Sequence, residues 1–461
     1  MQPARPLNLT GWRPAALVFA AGLAAILVLT AEYFLPIGLI KLALAAVFAC
    51  AFGLYIFAHP KMGLFAVVFY IYAGLGFYFP FPASYPIVII VTAAVALRLL
   101  GGERIELRSP GFLCAMALFV LIATQSMLFA YDASLSFFEF TEVAKALLVV
   151  FLVVQLIRTP KDLHQFVFVI FLGGLASVLL GLMNYQLGLV TVDDVTQGKT
   201  GLRFTGTHGN PNEFAIFLAT CLPIGIYLAR KFSRWYSTTL IVIACVMMLL
   251  AIFGSFSRAA FIILGFIIVA ILARDLRNRV VFALIVIAAG VVLVSIPGSY
   301  WDRLTTLTEI ASLGSENWSL YVRLQSAIVA WKLFLAHPFT GIGLGNFILR
   351  SEPYFFHRMV VHNVYLQILV GVGIFGGIAY LAAQVSIVGH FVNAMKYRWS
   401  KHNESMSHLA FYLLVGFLST VVGGLFGPTT FEYVTWLPAA GGLAAGRMAL
   451  RAREGLLKDE A

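Results

Sequence analysis

The chain predicts an all-α fold that crosses a membrane many times, and three observations predict it. Of its 461 residues, 61% are apolar and only 11% charged, too little charge for a soluble domain of that length. The apolar residues gather in runs of roughly 20, the length a helix needs to cross the hydrocarbon of a bilayer. The basic residues are also sorted. With the runs read as spans, 21 of the 31 Lys and Arg fall in one set of alternate short connections together with 8 acidic residues, while the other 10 accompany 12. Inner-face loops collect Lys and Arg. The formal +11 is therefore a topology signal and not a surface for nucleic acid.

The first run, 15–32, follows Arg5 and Arg13 and resembles a secretion signal. No small-residue cleavage site precedes Glu32 and a second run starts at once, so an uncleaved span is expected. Further spans are predicted at 36–58, 62–80, 84–100, 110–130, 136–157, 163–190, 213–230, 237–255, 259–274, 280–297, 363–389, 407–426 and 431–449, about 14 in all. Both termini then lie on the inner side. The inner connections carry Lys61, Arg98 to Arg108, Arg158 and Lys161, Arg230 to Arg234, Arg274 to Arg279, Lys396 to Lys401, and the tail from Arg447.

Four regions follow: N-terminal spans at 1–135, central spans at 136–297 with an outer loop at 191–212, a long outer loop at 298–362, and three spans with a tail at 363–461. The long loop is expected to be partly helical. From Trp318 to Ala336 the residues Leu320, Leu324, Ile328, Trp331 and Leu335 recur at helical spacing, with Arg323 and Lys332 beside them, so an amphipathic helix lies on or against the bundle. Pro338 and Gly341-Ile-Gly-Leu-Gly345 end it. That glycine run has no strand before it, so it reads as a turn returning the loop to the bundle and not as a nucleotide loop. No long-period repeat and no interrupted span is evident, and the four cysteines lack metal-ligand or disulfide spacing.

Charges outside the inner loops need another account. Arg203 precedes Asn210-Pro211-Asn212-Glu213, where an Asn cap and Pro open a span. Its N–H groups, with Arg203, form an anion site; the plainer reading is an Arg meeting lipid phosphates. Ser255-Phe-Ser257-Arg258 ends a span and, taken alone, makes an interfacial anchor. Arg323 alone is an ordinary basic residue of a surface helix, and Arg303, Arg350 and Arg358 say less still. His362-Asn363 opens a span; His accepts a proton near neutral pH, though a lone His there is usually a cap. Lys145 sits mid-span three residues after Glu142, with Glu139 nearby, either shaping a substrate cavity or forming a structural ion pair.

In combination, Arg203-Phe-Thr-Gly-Thr, Asn210-Pro-Asn212, Ser257-Arg258, the loop with Arg323, Trp331 and His337-Pro-Phe-Thr-Gly-Ile-Gly343, and His362-Asn-Val-Tyr365, followed by three spans, resemble the O-antigen ligase and polymerase superfamily of bacterial envelope glycosyltransferases. The resemblance runs over roughly 140–450. It implies an inverting enzyme of the bacterial inner membrane, acting on the periplasmic face without metal or other cofactor. The implied donor is an undecaprenyl-pyrophosphate-linked glycan, and the acceptor is a glycan or a lipid A core. Carried over, His362 is the general base. Arg203 holds the pyrophosphate with Arg258 or Arg323, Arg303 being the alternative in the loop, and Asn210, Asn212, Glu213, Asn363 and Lys145 give support. A polysaccharide flippase and a chain-length regulator are implied as partners. The extra pair of spans lies outside the matched part and tilts the expectation toward a repeat-unit polymerase over a ligase. A transporter of lipid-linked oligosaccharide is the alternative, for which internal repeats or paired interrupted spans are expected.

Overall fold

The structure, a computed structural model, describes residues 39–78, 84–186, 203–208, 210–275, 318–355, 359–399, 405–427 and 433–455. Among these every regular element is a helix: α1 (Leu39–Ala58), α2 (Pro60–Tyr72), α3 (Ser84–Leu100), α4 (Pro110–Met127), α5 (Ala133–Leu156), α6 (Pro160–Gln186), α7 (Pro211–Lys231), α8 (Trp235–Gly254) and α9 (Arg258–Asp275). There follow α10 (Trp318–Ala336), the single turns α11 (Phe347–Arg350) and α12 (Glu352–Phe355), then α13 (Val364–Lys396), α14 (Ser405–Gly423) and α15 (Tyr433–Arg453), besides a 3-10 turn at Leu75–Phe77. The chain is a polytopic, all-helical membrane protein.

Helices occupy the expected spans wherever the residues are described; 15–32 and 280–297 lie outside the described residues. Among the described residues, six helices are long and apolar enough to cross a membrane: α4, α6, α7, α8, α13 and α14. A seventh arises if α1 and α2 are one span, because Ala49–Ala58 and Pro60–Tyr72 meet at a 116° bend. Sequence periodicity suggests two spans there, and the bend comes where His59 precedes a helix-starting proline. The difference from about 14 has physical causes. α3, at 17 residues, is just too short, while α5 carries Glu139, Glu142 and Lys145 and α9 carries Arg258, Arg274 and Asp275.

α7 is buried on every side from Phe214 to Ala229, as a helix apolar all round should be at the centre of a bundle. It packs on α6, α8, α9 and α14, while α13 packs on α4, α14, α15 and α10. The helices alternate in direction, so the bundle has two ends. The lower end gathers the basic connections: Lys61 pairs with Asp162, Arg158 with Glu103, and Arg447 and Arg451 with Glu106. There too Arg230 donates to the Tyr412 hydroxyl and Ser109 meets His390 at 2.7 Å. The upper end holds the 203–208 loop, the α8–α9 turn, α10 and the start of α13.

α13 is one apolar run in the sequence, yet its backbone leaves the helix at Gly373 (φ 71). The expectation of uninterrupted spans fails here. Groups freed by the break pair with the returning loop: Ile342 N–H with Val370 O (2.9 Å), Gly343 N–H with Gly371 O (3.0 Å) and Ile374 N–H with Pro338 O (2.8 Å). A polar backbone at membrane depth requires such partners. Gly341 has φ 65, and a Cβ there would collide with the Gly371 carbonyl, so only glycine permits the approach. The glycine run is the returning turn its sequence suggests. Asn346 secures it: its Oδ1 accepts from Asp132 N–H (2.7 Å) and its Nδ2 donates to Ser136 Oγ (2.7 Å).

α10 forms where its spacing predicts, but with the opposite face inward. Val329, Ala330, Leu333 and Phe334 form a small core with Ile342, Phe347, Val361 and Val370. Leu324, Ile328, Trp331 and Leu335, the stripe singled out in the sequence, are exposed. The helix is apolar on two faces, and in a bilayer an apolar stripe does not mark the packed side.

Candidate active site

Arg203 lies at the upper end beside the turn joining α8 to α9. Its Nε donates to the Ser255 carbonyl at 2.7 Å and its Nη2 to Asn212 Oδ1 at 3.1 Å, so both the turn and the first turn of α7 orient the guanidinium. Phe204 N–H adds a bond to Gly254 O (2.9 Å). The turn is tight. Phe256 has φ 50, a strained value for a non-glycine residue, and Ser255 Oγ accepts from Ser257 N–H while Ser257 Oγ accepts from Ala260 N–H. Ser255 and Ser257 are fully buried. Their hydroxyls build the turn that aims Arg258, the first residue of α9.

The start of α7 departs from the anion site its sequence suggests. Asn210 caps the helix, accepting from Asn212 N–H (2.9 Å) and Glu213 N–H (3.5 Å), and donates in return to Glu213 Oε1 (2.8 Å). Pro211 has no N–H. The helix-start donors are therefore engaged and a carboxylate sits among them, which leaves anion binding to the arginine side chains. Asn210 and Glu213 are framework, and Asn212 orients Arg203.

The loop carrying Arg203 is keyed into the bundle through Thr207. Its hydroxyl donates to Ala73 O (3.1 Å) and lies 2.7 Å from Ser177 Oγ. His208 packs on Phe217, ring centroids 4.4 Å apart, and burial pushes its pKa down to about 4, so it stays neutral and structural.

His362 stands between buried Val361 and Asn363, whose side chain caps α13 by accepting from Tyr365 N–H (3.0 Å) and Leu366 N–H (3.1 Å). Val364 N–H bonds Gly424 O at 2.7 Å, fixing the start of α13 to the end of α14. Arg323 reaches this point from α10. Burial and then the Arg323 charge lower the His362 pKa, and burial and then the Arg258 charge lower that of Arg323. The α8–α9 turn thus holds Arg203 near Arg258, while Arg258 acts electrostatically on Arg323 and Arg323 on His362, a row of three cations and an imidazole, each partly buried. Nothing but their separate motifs links them in the sequence. Arg303 and Arg358 lie outside the described residues; Arg350 lies over the Tyr131 ring instead.

Lys145 belongs to a different cluster. It pairs with Glu142 at 2.6 Å, as the i,i+3 spacing suggests, and donates to the Tyr85 hydroxyl at 3.3 Å. The contributions that the sequence does not signal are the Ser255 carbonyl, Ser177, Thr207 and Asn346. They act through a backbone carbonyl, a single hydroxyl or, for Asn346, one side-chain amide, and only the Ser-Phe-Ser-Arg turn carries a visible trace of one.

Residues 243–381 match the family model described as O-antigen ligase. The matched segment begins in α8 and ends in α13, so it takes in Arg258, Arg323 and His362, while Arg203 and Lys145 precede it. A search of curated proteins finds no match to the chain. The region is similar to the O-antigen ligase family, consistent with the ligase and polymerase superfamily, and it is set in a multi-pass membrane protein.

Proposed function

We propose, with the O-antigen ligase region as premise, that the protein is a membrane glycosyltransferase that moves a glycan from undecaprenyl pyrophosphate to a sugar hydroxyl at the periplasmic face of the bacterial inner membrane. The observation that carries the reading is the row Arg203, Arg258, Arg323 and His362. An imidazole beside three guanidiniums is suited to a substrate that needs a base at one atom and anion stabilisation next to it. His362 takes the proton of the acceptor hydroxyl. The oxygen attacks the anomeric carbon from the face opposite the pyrophosphate, the carbon–oxygen bond to pyrophosphate breaks, and the anomeric configuration inverts. The bond-breaking electrons pass to the pyrophosphate, whose developing charge the arginine forks stabilise through paired hydrogen bonds. Pyrophosphate is a good leaving group, so this charge needs no divalent cation in the scheme.

A repeat-unit polymerase is preferred to a ligase because the sequence predicts an extra pair of spans in the N-terminal part, outside the matched region. Partners follow from that role: a flippase to deliver the donor and a chain-length regulator. The transporter alternative gains the interrupted α13 and the 116° bend between α1 and α2, yet alternating access calls for interruptions at matching positions of repeated halves, and the sequence shows no repeat. The test is purified protein in detergent with lipid-linked oligosaccharide, with and without a chelator. The reading expects transfer to survive chelation and the new linkage to have the inverted configuration. A strict divalent-metal requirement, or retention, contradicts the scheme.

A further inference from the structure

Glu139, Glu142 and Lys145 follow one another at helical spacing down a single face of α5, the stretch of that helix facing α15 and α3. At the top, Gly345 of the returning loop abuts the Glu139 side chain. Lower down, Lys145 pairs with Glu142 and donates to the Tyr85 hydroxyl of α3, with the ammonium 5.5 Å from the centre of that ring. Tyr433, first residue of α15, interacts electrostatically with Glu142, Lys145 and Tyr85. The cluster is not sealed: Lys145 and Glu142 keep 32% and 31% of their side-chain surface accessible, and Tyr85 is 46% exposed. Ionised groups left open in a membrane-spanning region are costly, and a purely structural pair would be closed over.

We infer that this partly open cluster on α3, α5 and α15 is the subsite for the acceptor glycan, a run of sugar rings held by carboxylate, ammonium and tyrosine. The inference rests on the transferase reading above. Its chemistry favours hydroxyl groups over phosphate. Two carboxylates outnumber one ammonium, and Glu142 already occupies that ammonium, so a pyrophosphate would be repelled. Carboxylates accept from sugar hydroxyls, the ammonium and phenols donate, and tyrosine faces suit the apolar side of a pyranose. Position agrees. Thr435, two residues past Tyr433, lines a small cavity with Val364 and Tyr365, the first residues of the helix that His362 precedes. Arg203 and Arg258 are held by α7 to α9, whereas the cluster is carried by α3, α5 and α15. An inverting displacement needs donor and acceptor on opposite sides of the anomeric carbon.

The test uses full-length protein with lipid-linked oligosaccharide as donor. Two acceptors are offered in turn: the same oligosaccharide freed of lipid and pyrophosphate, and purified lipid A core. Whichever the wild type uses is varied at saturating donor, and then the donor at saturating acceptor. Glu142→Gln and Tyr85→Phe, each checked for a native melting transition, are expected to raise the acceptor KM about tenfold and to leave the donor KM unchanged. Tyr85→Phe keeps the ring and removes one hydroxyl, so it separates recognition from folding. An unchanged acceptor KM in both folded variants overturns the inference, as does a rise in donor KM alone, which marks a site for the donor's anionic headgroup. No transfer by the wild type to either acceptor, together with no ladder from the lipid-linked oligosaccharide alone, removes the underlying transferase reading and the subsite with it; where only the ladder forms, a ladder unchanged in both folded variants at limiting oligosaccharide overturns the inference.

Discussion

His362 is the residue on which the chemistry turns, and its surroundings set a testable pH dependence. Burial and the Arg323 charge hold its pKa below the usual 6.5, which keeps the imidazole neutral and able to accept a proton further into the acid range. Transfer governed by the free enzyme should therefore rise with pH and level off at or below that usual value. A pyrophosphate on Arg323 offsets the guanidinium charge, so the midpoint of the kcat profile is expected above that of the kcat/KM profile. Arg323→Gln should bring the two together, and profiles that coincide in the wild type would deny the electrostatic link. Arg203→Ala is expected to lower transfer by about two to three orders of magnitude in folded protein, measured as initial rates; full activity would remove Arg203 from the mechanism. These residues were legible in the sequence because charge outside the inner loops is conspicuous. Their mutual arrangement was not, since Ser255 holds Arg203 through a carbonyl that any residue could present.

At the scale of the element, the broken helix α13 and the loop that mends it decide where Arg323 stands relative to His362. α10 is attached through the small core of Val329, Leu333 and Phe334 with Val361 and Val370, and through backbone bonds on both sides of Gly373. A side chain at Gly373 (φ 71) would meet the Phe339 carbonyl at 2.7 Å. Gly373→Ala is therefore expected to cost about 1–3 kcal/mol, to expose the 337–345 loop to protease, and to weaken transfer. Unaltered melting and proteolysis would show that the dock is not what fixes α10. This element shows where sequence reading stops. Val-Gly-Val-Gly-Ile-Phe-Gly-Gly looks like part of a continuous apolar span, and nothing local announces that a segment thirty residues earlier will supply its hydrogen bonds. The inverted face of α10 has a related cause. Leu324, Ile328, Trp331 and Leu335 repeat at helical spacing as well as the buried set does, and periodicity alone cannot tell lipid from core.

For the whole molecule, the sorting of charge along the sequence reappears as two unlike ends. The lower end is stapled by ion pairs, among them Arg447 and Glu106, whose side chains are 2% and 5% exposed. Removing one partner leaves a buried charge unpaired, so Glu106→Ala is expected to destabilise the fold by about 3–5 kcal/mol, read as a lowered melting temperature. Protein that remains folded should keep its transfer activity, because the site lies at the other end; selective loss of activity would contradict that separation. The alternation of spans and the end to which each connection goes were readable from Lys and Arg alone. The pairing of Arg447 with Glu106, far apart in the chain, was not. The central claim is that the upper-end row performs glycosyl transfer with His362 as base. The most direct measurement is a gel of products made by purified protein from its lipid-linked oligosaccharide as sole substrate, with His362→Ala run alongside. The account predicts a ladder from the wild type and none from the folded variant. A ladder from both would contradict it.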